Sequence, residues 1–143
     1  MNRVLISLLK GATKNKILLY NMDFSKEEMI EIINSGELKK VYNLSKGSNF
    51  SRLQEILDFL NKEKIATVII TDDIYPESLK EIFDPPFLLY VRGNVDALKG
   101  NLVSIVGTRK PSLKGLYGAY ELGLDFGRYN IGVVSLISLK EIE

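Results

Sequence analysis

The chain contains no cysteine and no histidine. Without cysteine there is no disulfide and no thiolate metal site. Without histidine the commonest general base and the commonest metal ligand are both missing. A hydrolytic or metal-assisted mechanism would have to rest on carboxylates, lysine or tyrosine. No apolar run approaches the ~20 residues that a bilayer-spanning helix needs. The opening Met1–Leu9 carries one arginine and a short apolar stretch, but Lys10, Lys14 and Lys16 follow at once with no small-residue cleavage site. It does not read as a signal peptide, and the expected location is the cytoplasm. Net charge is scarce too: the formal total is +1, so a basic footprint would have to be local. The remaining balance, 45% hydrophobic and 26% charged over 143 residues, is that of one soluble globular domain of ordinary size.

The first part of the chain has a helical pattern. Val4, Leu5, Leu8 and Leu9 recur at helical spacing, as do Met29, Ile30, Ile32 and Ile33. Ser25-Lys26-Glu27-Glu28 fits a capping box, and Gly36 suits the residue just past a helix end. Ser51-Arg52-Leu53-Gln54 is a second candidate box, with a loop expected over Leu44–Asn49. The pattern then changes. Ala66–Thr71 is a short β-branched run and reads as a buried strand. Pro76 suits the first position of a short helix through Leu79 and Ile82. Phe87–Arg92 is a second strand, closed by Gly93-Asn94, and Leu102–Val106 a third. Leu113–Arg128 predicts a helix with Leu113, Leu116, Tyr117, Tyr120 and Leu124 on one side, and Ile131–Leu136 a fourth strand. A helical region thus precedes a β-α-β unit of parallel type, an α/β fold.

The junction between the third strand and this helix carries the chemistry. Gly107 lets the backbone turn and lets an anion approach the main chain. The first helical N–H groups lack internal partners and point at whatever sits there. Thr108 and Ser112 add hydroxyl donors, and the Arg109 fork can hold two phosphate oxygens. Lys110 and Lys114 add positive charge nearby. The segment reads either as a phosphate cradle or as a plain glycine turn whose Ser112 caps the helix. Neither the G-x-G-x-x-G pattern nor the P-loop pattern is present, so NAD or ATP binding is not indicated, and no cofactor is expected. Interior glycines Gly115, Gly118, Gly123 and Gly127 each cost ~1 kcal/mol against alanine. Tight packing explains Gly123 and Gly127. Tyr75, Phe87, Tyr90 and Tyr117 could stack on bases, with core positions the simpler reading. Asp72-Asp73 reads as a solvated loop rather than a metal site, so no metal is expected.

Tyr75-Pro76, Leu79, Asp84-Pro85-Pro86, Leu89-Tyr90-Val91-Arg92-Gly93-Asn94, Leu98, Ile105-Val106-Gly107-Thr108-Arg109, Pro111-Ser112 and Gly115 form an ordered set. The set resembles the DprA/Smf family of DNA-processing proteins of natural transformation, from Tyr75 to about Val134. The resemblance implies a Rossmann-like domain over 65–143, preceded by a variable helical region over 1–64. It also implies binding of single-stranded DNA, loading of the recombinase RecA onto it, and no catalytic residue or turnover. In that family the turn binds phosphate, which assigns the role here to Gly107, Thr108 and Arg109, with Ser112 and Gly115 in the following helix. Lys110 and Lys114 are auxiliary cations.

One departure matters. The family's next strand runs into a second glycine-rich turn, S-G-x-A-x-G-I-D, whereas Ser135 here is followed by Leu136-Ile137-Ser138-Leu139-Lys140-Glu141-Ile142-Glu143. The expectation is a C-terminally truncated Rossmann-like domain, with weakened DNA binding and without the surface the family uses for its homodimer and for RecA. Two alternatives stand beside it. One is a Rossmann-like nucleotide enzyme of phosphoribohydrolase type, whose carboxylate pair is not visible. The other is a vestigial product.

Overall fold

The computed structural model describes residues 2–108 and 110–135. They belong to two compact units, Met1–Leu98 and Lys99–Glu143. The division expected after residue 64 follows the change of sequence pattern, whereas compactness groups the next stretch, through Leu98, with the helices before it.

The first unit contains helices α1 (Asn2–Ser7), α2 (Thr13–Asn21), α3 (Lys26–Ser35), α4 (Glu37–Tyr42), α5 (Leu53–Lys62) and α6 (Glu77–Lys80). Its strands are β1 (Leu9–Lys10), β2 (Ser45–Lys46), β3 (Ile65–Ile69) and β4 (Leu88–Arg92). Helix α3 begins where its capping box closes. The Glu28 N–H donates to Ser25 Oγ at 3.2 Å and the Ser25 N–H donates to the Glu28 carboxylate at 2.8 Å. It ends at Gly36, whose φ of +80° lies in the left-handed region that glycine enters without strain. Met29 and Ile33, one turn apart, are its buried pair.

The second candidate box does not form. Helix α5 grows out of a 3-10 turn over Phe50–Arg52, and no side chain caps it. Its polar residues find other partners: Arg52 bonds Glu55 at 2.9 Å and Gln54 bonds Asp58 at 3.0 Å. The expected loop at Leu44–Asn49 contains β2, which pairs antiparallel with β1. That pairing ends α1 early, so Leu9 reaches the core from a strand. Pro76 precedes the short α6 as its cap residue instead of opening it.

β3 and β4 pair antiparallel, Ile65 opposite Arg92 and Ile69 opposite Leu88. The parallel unit therefore does not begin here. The four-residue α6 between these strands is too short to serve as a crossover helix. The core of this unit gathers Leu5, Ile6, Leu19, Met29, Leu44 and Ile69, all at most 1% exposed. Each such side chain contributes roughly 1.5–3 kcal/mol of burial. Phe87 joins them from just before β4, its ring edge-on to Tyr20 at 6.1 Å. Polar ties bind the segment after β3 to the rest. Arg3 grips Asp72 with two nitrogens at 2.7 and 2.9 Å, and Asp72 also accepts the Ile69 N–H at 3.0 Å.

The second unit holds β5 (Leu102–Ser104), α7 (Leu113–Arg128) and β6 (Gly132–Val134). β5 and β6 run parallel, Leu102 opposite Gly132 and Ser104 opposite Val134. This is the expected α/β element: strand, helix, parallel strand. Helix α7 has the predicted bounds, and Ser112 caps it by accepting the Gly115 N–H at 3.2 Å. The fourth strand is shorter than expected, and Leu136 lies outside the described residues. The expected apolar side of α7 is not covered: Leu113, Leu116, Tyr117, Tyr120 and Leu124 are between 43% and 84% exposed. Two three-residue strands are too small to shelter a helix of 16 residues. For the same reason the tight-packing reading of Gly123 and Gly127 does not hold, because a Cβ at either would meet nothing within 4 Å. Among the described residues no helix is long and apolar enough to cross a membrane.

Candidate functional site

After Ser104 the chain makes one more ladder bond, from the Ile105 N–H to the Val134 carbonyl at 3.0 Å, and then leaves the sheet. Val106, Gly107 and Thr108 are exposed. The Thr108 hydroxyl oxygen accepts the Lys110 N–H at 3.2 Å, which folds the loop back toward α7. Ser112 follows in extended conformation, φ −68° and ψ 158°, and starts the helix. Its carbonyl takes the Leu116 N–H at 2.9 Å and its Oγ the Gly115 N–H. The N–H groups of Leu113 and Lys114 have no acceptor within the helix, and the positive end of the helix dipole lies with them. Thr108 and Ser112 each accept through oxygen, which leaves each hydroxyl hydrogen to be donated outward.

These residues line a cleft of about 620 Å³. Gly107, Thr108, Ser112 and Gly115 form its polar edge. Val106, Pro111, Leu116 and Ala119 form an apolar wall, and Ser135 closes it beyond β6. Gly107 is not needed for a positive φ. A Cβ there would point into open space, so what glycine provides is unobstructed approach to the main chain. At Gly115 a Cβ would sit 3.4 Å from Ser112 Oγ, an ordinary contact at the cleft wall. Among the described residues no carboxylate lines the cleft, and no cluster of acidic side chains could hold a metal ion.

Four of the expected site residues, Gly107, Thr108, Ser112 and Gly115, are thus brought together. Lys110 contributes its main chain to the turn, and its side chain and that of Lys114 are exposed without lining the cleft. Arg109 lies outside the described residues. The sequence did not single out Ala119 or Ser135 for this place. The signal for Ser135 was its position just after a strand parallel to β5, since neighbouring parallel strands deliver their carboxyl ends to one crevice. Two of the four aromatics considered for stacking are core residues. Tyr75 is 2% exposed and donates its hydroxyl to the Pro86 carbonyl at 2.8 Å, and Phe87 is buried. Tyr90 and Tyr117 are exposed. Asp72 is no free loop carboxylate, given its grip by Arg3.

A cleft at the carboxyl ends of two parallel strands, edged by hydroxyls and a helix N-terminus, places the chain among α/β proteins. The model of the family described as DNA recombination-mediator protein A matches residues 66–137, half of the chain, and the chain belongs to that family. It is 47% identical over 58 residues to the DNA processing protein DprA of Streptococcus pneumoniae, a stretch of 39% of this chain and 21% of that one. It is 37% identical over 67 residues to DprA of Bacillus subtilis, covering 46% of this chain and 23% of that one. To protein Smf of Borreliella burgdorferi it is 32% identical over 111 residues, 75% of this chain and 34% of that one. The matched stretches thus span between about a fifth and a third of these relatives' lengths. No solved structure matches the chain significantly.

Proposed function

We propose that this chain is a DNA-processing protein that binds single-stranded DNA in the cytoplasm during DNA uptake, natural transformation and recombination. Its binding element is the turn from Gly107 to Ser112. The observation that carries the reading is the meeting of Gly107, Thr108, Ser112 and Gly115 on one cleft at the start of α7. A backbone phosphate would accept from the two hydroxyls and from the first N–H groups of the helix, with Arg109 supplying a paired charge. Lys110 and Lys114 would add long-range attraction. The printed names of the bacterial relatives, which speak of DNA processing, support nucleic acid as the owner of that phosphate.

In this reading the protein performs no turnover: it holds the strand and passes it to a recombinase of RecA type. Family membership supports that role. A phosphoribohydrolase-type reaction would need a carboxylate on the cleft, and none is among the described lining residues. Anisotropy of a labelled oligothymidylate at low salt tests the proposal. Arg109→Ala and a Thr108→Val, Ser112→Ala double variant should each weaken binding tenfold or more, on the order of one lost charge-assisted contact. Binding that ignores both changes, or hydrolysis of a nucleoside monophosphate, would sink it.

A further inference from the structure

A second cleft, of about 400 Å³, lies in the first unit between the start of α2 and the segment before β4. Its lining includes Ala12, Ile17, Ile70 and Pro85, with Phe83 among them. The Phe83 side chain is entirely in water, at 105% relative exposure. A phenyl group left in solvent beside an apolar hollow is available to a partner. Lys14 lines the same cleft. It belongs to an opening segment in which Arg3, Lys10, Lys14 and Lys16 all precede the first carboxylate of the chain, Asp23. Arg3 is neutralised by Asp72, and Lys16 donates to the Ser7 carbonyl at 3.3 Å, whereas Lys10 and Lys14 are exposed. Among the described residues the carboxylate on the cleft is that of Asp84, which accepts the Thr13 N–H at 3.2 Å.

We propose that this cleft is an additional contact for single-stranded nucleic acid, with a base stacked on Phe83 and neighbouring phosphates drawn to Lys14 and Lys10. The inference rests on the reading of the chain as a single-strand binder and adds a site in the other unit. An exposed ring on a cleft that Lys14 also lines, with Lys10 four residues before it in the chain, offers what unpaired bases on a polyanion require. Duplex DNA hides its base faces and would use the lysines alone. An apolar peptide would use the hollow and gain nothing from the lysines.

The test is oligonucleotide anisotropy with the full chain. Phe83→Ala should weaken binding to oligothymidylate about tenfold, and Phe83→Trp should keep it. On a strand of abasic sites, Phe83→Ala and the parent should bind alike. Lys10→Glu with Lys14→Glu should lower the slope of log affinity against log salt by about 1.4, near 0.7 for each phosphate contact. Phe83 is exposed, so the variants should fold as the parent does. The inference falls if Phe83→Ala leaves oligothymidylate binding unchanged, or if its loss is as large on the abasic strand. Where Arg109→Ala still abolishes binding in that case, the reading of the Gly107 turn survives. If the parent binds no single strand at all, both fall.

Discussion

Thr13 and Pro85, 72 residues apart, are joined by a hydrogen bond of 2.7 Å from the Thr13 hydroxyl to the Pro85 carbonyl. Asp84 adds its carboxylate to the Thr13 N–H, and Tyr75 ties the Pro86 carbonyl. The Asp84-Pro85-Pro86 motif is thereby explained as a latch. Two prolines have no N–H to place, and their carbonyls take side-chain donors from α2 and from the loop after β3. Thr13 is only 6% exposed, so Thr13→Val would leave the Pro85 carbonyl facing a methyl group. The expected loss is about 1–3 kcal/mol of stability, read from urea unfolding. An unchanged midpoint would show that the latch carries no energy.

Tyr75→Phe probes the same latch from its other side. Removing the hydroxyl strands the Pro86 carbonyl and should lower stability by about 1–2 kcal/mol. The pH profile adds a signature. Burial pushes the Tyr75 hydroxyl above its ordinary value of 10.0. A raised pKa on an acid means that the unfolded chain ionises first, so this contribution is complete below pH 10 and fades as pH rises through the folded value. The parent should lose stability in that alkaline range more steeply than the phenylalanine variant.

The capping box of α3 makes the opposite prediction in acid. The Ser25 N–H, and then the Ser25 side chain, hold the Glu28 carboxyl below its ordinary 4.5. A depressed pKa gives stabilisation that is present above that value and disappears as pH falls through the folded one. Glu28→Gln should therefore differ from the parent near neutrality and converge with it in acid. A constant difference between pH 7 and pH 2 would rule out this coupling.

Helix α7 offers a gain of stability. Gly118, Gly123 and Gly127 lie within it, and a Cβ at each meets nothing within 4 Å. Replacing any one by alanine should stabilise by roughly 0.5–1 kcal/mol through backbone entropy and helix propensity. Helix content by circular dichroism and the thermal midpoint should both rise. A fall in either would mean that these positions meet a surface other than solvent.

Ser112 separates capping from anion binding. Ser112→Ala removes the acceptor of the Gly115 N–H and should cost about 1 kcal/mol. Ser112→Asp restores the cap and suits the helix dipole, yet places a negative charge where the phosphate is proposed. Stability should recover in the aspartate variant while binding of single-stranded DNA drops further. Recovery of both would leave Ser112 with a capping role alone.

The parts legible in advance were those governed by neighbours in sequence. Ser25 with Glu28, Gly36 at a helix end, and α7 running from Leu113 to Arg128 all follow from backbone groups a few residues apart. The family motif around Asp84-Pro85-Pro86 was visible too, but not its purpose, because the donor Thr13 comes from another helix. The second candidate box failed for a related reason. The side chain of Gln54, expected to close a box with Ser51, bonds Asp58 one turn further along the helix instead.

What the amino-acid order determined by itself was the composition of the Gly107–Ser112 turn and the start of the helix that follows it. What only tertiary structure decided was which strands meet and which rings reach water. β3 pairs antiparallel with β4 while β5 pairs parallel with β6. Tyr75 and Phe87 are buried while Phe83, one turn residue away from the latch, stands fully exposed. Local propensity acts through bonds spanning a few residues, whereas pairing and burial depend on surfaces contributed from distant segments. The walls of both clefts are made of such surfaces.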